Sequence, residues 1–261
     1  MPGGLSMHRL PFQKMLGLPD LLEVGSVLVV EPHPDDNEVG AGATIKLLTN
    51  REIPVIYVTV TDGGAGGAPK ALSSEETIQI RQHERYAANR LLAVTASHNL
   101  GFPDGGSWTQ HDLVLELVPL IRRYRPELVM TVDPWTPYEA HPDHVKTGHA
   151  TATAATVYAD NALLLVTDHP PYSVPQVAFY GSAYPNRFVD VTTTWEHKLT
   201  AMQAHTSQFD TPDWPLISAY LSSEAERLYR EHHDPDSKGY AEAFKVLSTR
   251  QLHFFPQALR S

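Results

Sequence analysis

Residues 27–42 read VLVVEPHPDDNEVGAG. The run begins with four consecutive aliphatic residues, the pattern of a strand buried on both faces. Four polar side chains, His33, Asp35, Asp36 and Glu38, then fall within six positions. Small residues follow, and EVGAGATIKLLTN (38–50) has the spacing of a helix. A buried strand that ends in acids and an imidazole and then enters a helix is a candidate ligand site at the carboxyl edge of a parallel sheet.

The flanking sequence repeats this strand–helix rhythm. Strands are expected at 26–32, 54–62, 97–102 and 127–134, and helices at 38–50, 73–92, 111–124 and 142–159, with Pro126 closing the third helix. This alternation predicts an α/β fold: a Rossmann-like, mostly parallel sheet with helices on both faces. Beyond Asp160 the pattern loosens. PQVAFYGS and RFVDVTT read as strands, and 194–206 and 216–233 as helices. The chain is expected to be a single domain over 1–261: an N-terminal extension (1–24), the Rossmann-like core (25–160) and an irregular C-terminal α+β part (161–261) that serves substrate binding and oligomer formation.

Composition narrows the chemistry. The net charge of −10 disfavours nucleic acid and anionic lipid, which leaves a small neutral molecule as the favoured partner. With no cysteine and 14 histidines, any transition-metal site must use imidazole and carboxylate ligands. The N-terminal residues lack the apolar core of a signal peptide, and no run approaches the roughly 20 apolar residues of a membrane span. A cytoplasmic location without membrane association is expected.

Two motifs carry the chemistry. His33-Pro34-Asp35-Asp36 follows the first strand and His141-Pro142-Asp143-His144 the fourth. Residues three apart at a helix start can converge, so His33 and Asp36 can share one ion while Asp35 points elsewhere. His144 becomes a third ligand if the two motifs meet at the sheet edge, and three protein ligands leave a position for water. A single His-Pro-Asp is ordinarily a turn whose aspartate caps a helix. Two copies at the ends of two parallel strands are harder to explain that way. Glu38 reads as a charge favoured by the helix dipole. The glycine-rich stretch 63–67 lacks both the lysine of a phosphate loop and the spacing of a dinucleotide site, and reads as the rim of the site.

PHPDDNE together with HPDH resembles the zinc-dependent N-acetylglucosaminyl deacetylase family, also called LmbE-like or PIG-L-like. KLTAMQAHTSQF, GYAEAF and RQLHFF extend the likeness over residues 30 to 255, and bring it nearest to the diacetylchitobiose deacetylase branch. Asn37 stands where the family usually has glutamate. The resemblance implies one zinc ion, or another divalent ion, per chain, held by His33, Asp36 and His144. It makes Asp35 the general base and implies catalytic roles for His141 and His253. Arg81, Asp104, Trp135 and Tyr138 are expected substrate contacts; a helix-surface charge paired with Glu84 is the alternative for Arg81. His205 and Gln208 match the family's HxSQF and are expected to be structural. The implied reaction releases acetate from an N-acetylglucosamine-type amino sugar, with a homo-oligomer as the working assembly. An amidase or deacetylase of a glucosaminyl-thiol conjugate, or of another acylated small molecule, and a non-catalytic metal- or sugar-binding protein are the rival readings. The intact Asp35 speaks against the last, because ligation alone does not need it.

Overall fold

Seven strands build one sheet: β1 (Val27–Glu31), β2 (Val55–Thr61), β3 (Ala96–Phe102), β4 (Leu128–Val132), β5 (Gln176–Tyr180), β6 (Arg187–Asp190) and β7 (Ala241–Ser248). The computed structural model describes residues 17–66, 72–233, 236–253 and 258–259. The spatial order is β3-β2-β1-β4-β5-β7-β6. β1 to β5 run parallel, while β7 is antiparallel to both β5 and β6. The chain moves outward from β1 through β2 to β3, then returns to place β4 on the other side of β1. The carboxyl ends of β1 and β4 therefore flank the point where strand order reverses, the position at which open α/β sheets bind ligands.

Helices cover both faces, as the strand–helix alternation predicts. α1 (Asp36–Asn50), α5 (Trp195–Gln203) and α7 (Trp214–His232) pack on one side, around Ile45, Leu48, Trp195 and Ala225. α3 (Gln110–Tyr124) and α4 (Pro142–Thr153) pack on the other, around Leu113, Leu117, Ile121 and Ala150. α2 (Ser74–Leu91) starts with a reciprocal capping box between Ser73 and Glu76. α3 starts with the same device between Thr109 and Asp112, contains Pro119, and ends at Arg125 in the left-handed region, ahead of Pro126. α4 has Pro142 at its first turn and continues into a single π turn, Ala154–Tyr158. The sequence periodicity reads that π turn as more α-helix. A four-residue helix, α6 (Thr206–Phe209), stands between α5 and α7. Among the described residues no helix is long and apolar enough to cross a membrane.

The small residues at the start of α1 reflect close packing. A Cβ at Gly42 would lie 3.2 Å from Lys198 Cγ, and one at Gly40 would run into the ring of Tyr180. These contacts bring α1 against α5 and β5. A buried ion pair adds to them: Glu242 on β7 accepts from Lys198 Nζ at 2.7 Å and from the backbone N–H groups of Ala43 and Thr44 at 3.2 and 2.8 Å. Both charged side chains are about 4% exposed. β7 has no counterpart among the strands read from the sequence, because buried Glu242 and Lys245 break its apolar pattern.

Glu242→Gln should destabilise the protein by about 3–5 kcal/mol, because Lys198 is then left as an uncompensated buried charge. The double change Glu242→Leu with Lys198→Met should restore most of that loss. Urea-unfolding midpoints of the three variants give the comparison, and equal midpoints for wild type and Glu242→Gln would contradict it.

Candidate active site

β1 delivers His33 to the switch point, and the chain bends sharply before α1. Asp35 has φ 133° and ψ −21°, a backbone conformation rare for a residue with a Cβ. Asp35 stands at the N-cap of α1 but makes no capping hydrogen bond through its side chain. Its carboxylate is held instead by Arg81 Nη2 at 3.0 Å. The next residue, Asp36, turns the other way and approaches His33 Nδ1 at 3.1 Å, while also accepting the His33 backbone N–H at 2.8 Å.

The second motif comes from the loop after β4 and the first turn of α4. His144 Nε2 lies 3.6 Å from Asp36 Oδ1, so Asp36 bridges the two imidazoles. Ligands on a tetrahedral ion with bonds near 2.1 Å are separated by about 3.4 Å, and the donor contacts at Asp36 bracket that spacing. The donor atoms of His33, His141 and His144 also lie within 4.8 Å of one another. His33, Asp104 and Asp143 form a second such group, and Asp36 adds an anionic donor that approaches His33 through one oxygen and His144 through the other. His141 stacks on His144 with ring centroids 4.7 Å apart, and its Nδ1 accepts the Asp143 backbone N–H at 3.3 Å. Its Nε2 is left as the functional atom. The donor set of two imidazoles and a carboxylate therefore fits one divalent ion.

Carboxylates behind the donors orient them. Glu139 accepts from His144 Nδ1 at 3.1 Å and from the His141 backbone N–H at 2.7 Å. This fixes the His144 tautomer and leaves Nε2 directed towards Asp36. Asp104 Oδ1 and Asp143 Oδ2 lie 3.3 and 3.5 Å from His33 Nε2 and place negative charge beside that ring. Asp143 is fully buried; it accepts the Gly105 N–H at 2.7 Å and pairs with Lys146 at 2.8 Å, which ties the Asp104 turn to α4. The sequence carries no distinct signal for Glu139 or Asp143, since an acid near a histidine motif is commonplace.

The local field is strongly negative. Burial disfavours the His33 imidazolium, yet contact with Asp104 and Asp36 outweighs it and raises the pKa to about 10. Burial and the neighbouring Asp36 charge push Asp35 up to about 7, against the opposing pull of Arg81. Burial alone would raise Asp36, but its contacts with His33 and His144 bring it below the usual carboxylate range. For His141, burial and then the His33 and His144 charges lower the pKa, which favours the neutral ring.

A cavity of about 330 Å³ opens over these groups, lined by His33, Asp35, Arg81, Asp104, His141 and Gln208, with Ala65 and Gly66 on its rim. Gln208 was read as structural; the structure puts it in the wall. Residues 67–71, the end of the glycine-rich stretch and its continuation, lie outside the described residues. Arg81 is neither exposed nor paired with Glu84. It is 3% exposed and donates to Pro34 O at 2.7 Å and Gly63 O at 3.3 Å as well as to Asp35. Glu38 stands in the first turn of α1 as expected, but it is also buried, 3.3 Å from the equally buried His205. Three expected site residues are not brought to this cavity. Trp135 packs edge-on against His149 and Phe179 and lines a separate, largely apolar cavity of about 370 Å³ with Tyr184 and Leu252. Tyr138 is fully exposed, and His253 is exposed on the turn after β7.

Imidazoles and carboxylates clustered at the switch point, with Asp35 beside them and an open cavity above, are the arrangement of a metal-dependent hydrolase of the α/β class. Comparison with known proteins agrees. The family profile "PIG-L: GlcNAc-PI de-N-acetylase" matches residues 28–155. A diacetylchitobiose deacetylase of Thermococcus kodakarensis is 36% identical over 239 residues, covering 90% of this chain and 88% of that one. A probable N-acetyl-alpha-D-glucosaminyl L-malate deacetylase of Bacillus anthracis is 30% identical over 78% of this chain and 92% of its own. The crystal structure of N,N'-diacetylchitobiose deacetylase from Pyrococcus horikoshii, complexed with an inhibitor, superposes with a TM-score of 0.84 at 31% identity, covering 94% of this chain and 92% of that one. The chain belongs to the PIG-L family of de-N-acetylases.

Metal binding should be strongly pH-dependent. The ion must displace the proton from His33, whose pKa without the ion is about 10. Affinity should therefore rise with pH, by about tenfold per unit between pH 7 and 9 for a single displaced proton. Chelator competition across that range measures the slope; a flat profile would remove His33 from the ligand set. Asp104→Ala should weaken metal binding by about 10- to 100-fold at fixed pH by releasing the His33 ring.

Proposed function

We propose that this enzyme removes the acetyl group from N-acetylglucosamine or a short β-linked oligomer of it, such as diacetylchitobiose, with a divalent ion held by His33, Asp36 and His144. The observation that carries this reading is the Asp35 carboxylate, which lines the cavity beside the imidazoles and makes no helix-cap hydrogen bond. Zinc suits two imidazoles and one carboxylate, and supplies a Lewis acid that polarises the amide carbonyl and acidifies water.

The chain's own residues account for the proton traffic. Arg81 holds Asp35 Oδ2, leaving Oδ1 to take the proton of the attacking water. A base raised towards neutral pH can also return that proton to the leaving nitrogen, so Asp35 serves both halves of the reaction. His141 accepts the Asp143 N–H at Nδ1, which places the imidazole proton on Nε2. A neutral Nε2–H is a suitable donor to the oxygen that becomes negative when the carbonyl turns tetrahedral. The products are acetate and a free amine. Asp104 accepts the Ala65 backbone N–H through Oδ2, which supports a positioning task more than a direct sugar contact. The names of the relatives support an N-acetylated glucosamine core for the substrate. Exposed Leu163, Leu164 and Val166 support a homo-oligomer that covers them.

Asp35→Asn should retain one equivalent of metal and lose about 10²- to 10⁴-fold of acetate release from N-acetylglucosamine and its dimer. Full activity in that variant would sink the mechanism. Chelation should abolish turnover and added zinc restore it, and the rate ranking of monomer, dimer and longer oligomers identifies the preferred length.

A further inference from the structure

α2 presents a charged stripe to the protein interior. Arg81, Glu84 and Arg85 are all buried, and each reaches a different segment. Arg85 Nη1 lies 3.2–3.4 Å from Thr59 Oγ1, Ser97 Oγ and His98 O, on β2 and β3. Arg81 grips the Pro34–Asp35 bend. Glu84, one turn further on, accepts three short hydrogen bonds from the start of α6: Thr206 Oγ1 at 2.7 Å, Ser207 N at 2.6 Å and Ser207 Oγ at 2.7 Å. These partners are more than 120 residues away in the chain. Three charge-assisted bonds on one buried carboxylate are far more than a four-residue helix needs for local order. A surface helix of that length would ordinarily be anchored by apolar packing, but α6 contributes no buried residue.

The anchor leads to the cavity. Ser207 Oγ donates to Glu84 and accepts from Gln208 Nε2 at 3.0 Å. A directed chain thus runs from Gln208 Nε2–H through Ser207 Oγ–H to Glu84 Oε2. It fixes which end of the Gln208 carboxamide is the nitrogen and leaves Oε1 as the acceptor in a residue that lines the cavity.

We propose that Gln208 binds the substrate through Oε1, accepting a hydrogen bond from a sugar hydroxyl or from the acetamide N–H, and that Glu84 is the positioning residue that orients it through Ser207. This inference rests on the deacetylase reading above. It gives α2 two arms one turn apart, with Arg81 setting the general base and Glu84 setting the opposing wall. The ligand it selects is neutral and polar, since a carboxamide acceptor discriminates by hydrogen bonding and not by charge.

Steady-state acetate release from N-acetylglucosamine and its β-linked dimer tests the proposal. Gln208→Ala should raise KM about tenfold, the equivalent of one lost hydrogen bond, with kcat changed less than threefold and metal content unaltered. Ser207→Ala should give the same KM rise while leaving the charges of α2 untouched, and Ser207→Thr, which keeps the hydroxyl, should recover most of it. Glu84→Gln should follow Ser207→Ala in KM. If Glu84→Gln fails to fold, the two Ser207 variants decide alone. Unchanged KM in Gln208→Ala and Ser207→Ala overturns the inference and leaves the deacetylase reading standing. A fall in kcat at constant KM overturns it too, because Gln208 would then act on the chemistry. Absence of acetate release by the wild-type enzyme from either sugar overturns the functional reading, and the inference with it.

Discussion

Arg81 donates to Pro34 O at 2.7 Å and to Asp35 Oδ2 at 3.0 Å, and between those contacts the backbone turns through a φ of 133°. A non-glycine residue in such a conformation carries strain of order 1–3 kcal/mol unless its surroundings over-determine it. Here they do. The guanidinium is buried, the preceding strand is locked between β2 and β4, and the following residue starts a helix. The bend separates two adjacent aspartates that would otherwise compete for one ion. Asp36 turns to the imidazoles and Asp35 to the cavity. Relaxing the bend would move both aspartates together, so the site depends on this clamp more than on any single side chain.

The sheet does the rest of the assembly. Because β1 and β4 are neighbours in space but lie on opposite sides of the reversal in strand order, their carboxyl ends bring motifs more than a hundred residues apart to within 3.6 Å. The loop that carries the second motif then supplies its own orienting carboxylate in Glu139, and α4 supplies another in Asp143. Glu139 backs His144 at Nδ1 and fixes its tautomer, while Asp104 and Asp143 place negative charge beside His33 Nε2.

Much of this is legible in the amino-acid sequence, and the exceptions have physical reasons. VLVVEPHPDD and HPDH declare the strand ends and the donor set because apolar runs and convergent i,i+3 pairs leave a pattern in sequence. Arg81 and Glu84 mislead: charges three apart on a helix usually face water and each other, and nothing in their spacing says that each binds a separate segment. Glu38 is legible only in part, since an acid in a first helical turn is ordinarily explained by the dipole. β7 is hidden because its inward positions carry Glu242 and Lys245, which only the fold reveals as paired or enclosed. Trp135 and Tyr138 sit close in sequence to His141, but the loop carries their side chains away from the cavity, a geometry no motif encodes. Gln208 is recognisable as part of a family pattern, while its place in the cavity wall follows only from the Glu84 anchor.

The electrostatics of the finished site say why a dication belongs there. Asp35, Asp36, Asp104, Asp143 and Glu139 crowd one end of the sheet, opposed by two fixed cations, Arg81 and Lys146. Protons compensate the excess: His33 holds its proton up to about pH 10, and Asp35 up to about pH 7, although burial alone would push the imidazole the other way. A divalent ion bound among these groups would supply the same compensation at one point, in place of the His33 proton, and would favour the carboxylate form of Asp35. The imidazoles and Asp35 are thus coupled through one field, and the surrounding carboxylates make this end of the sheet favour a cation.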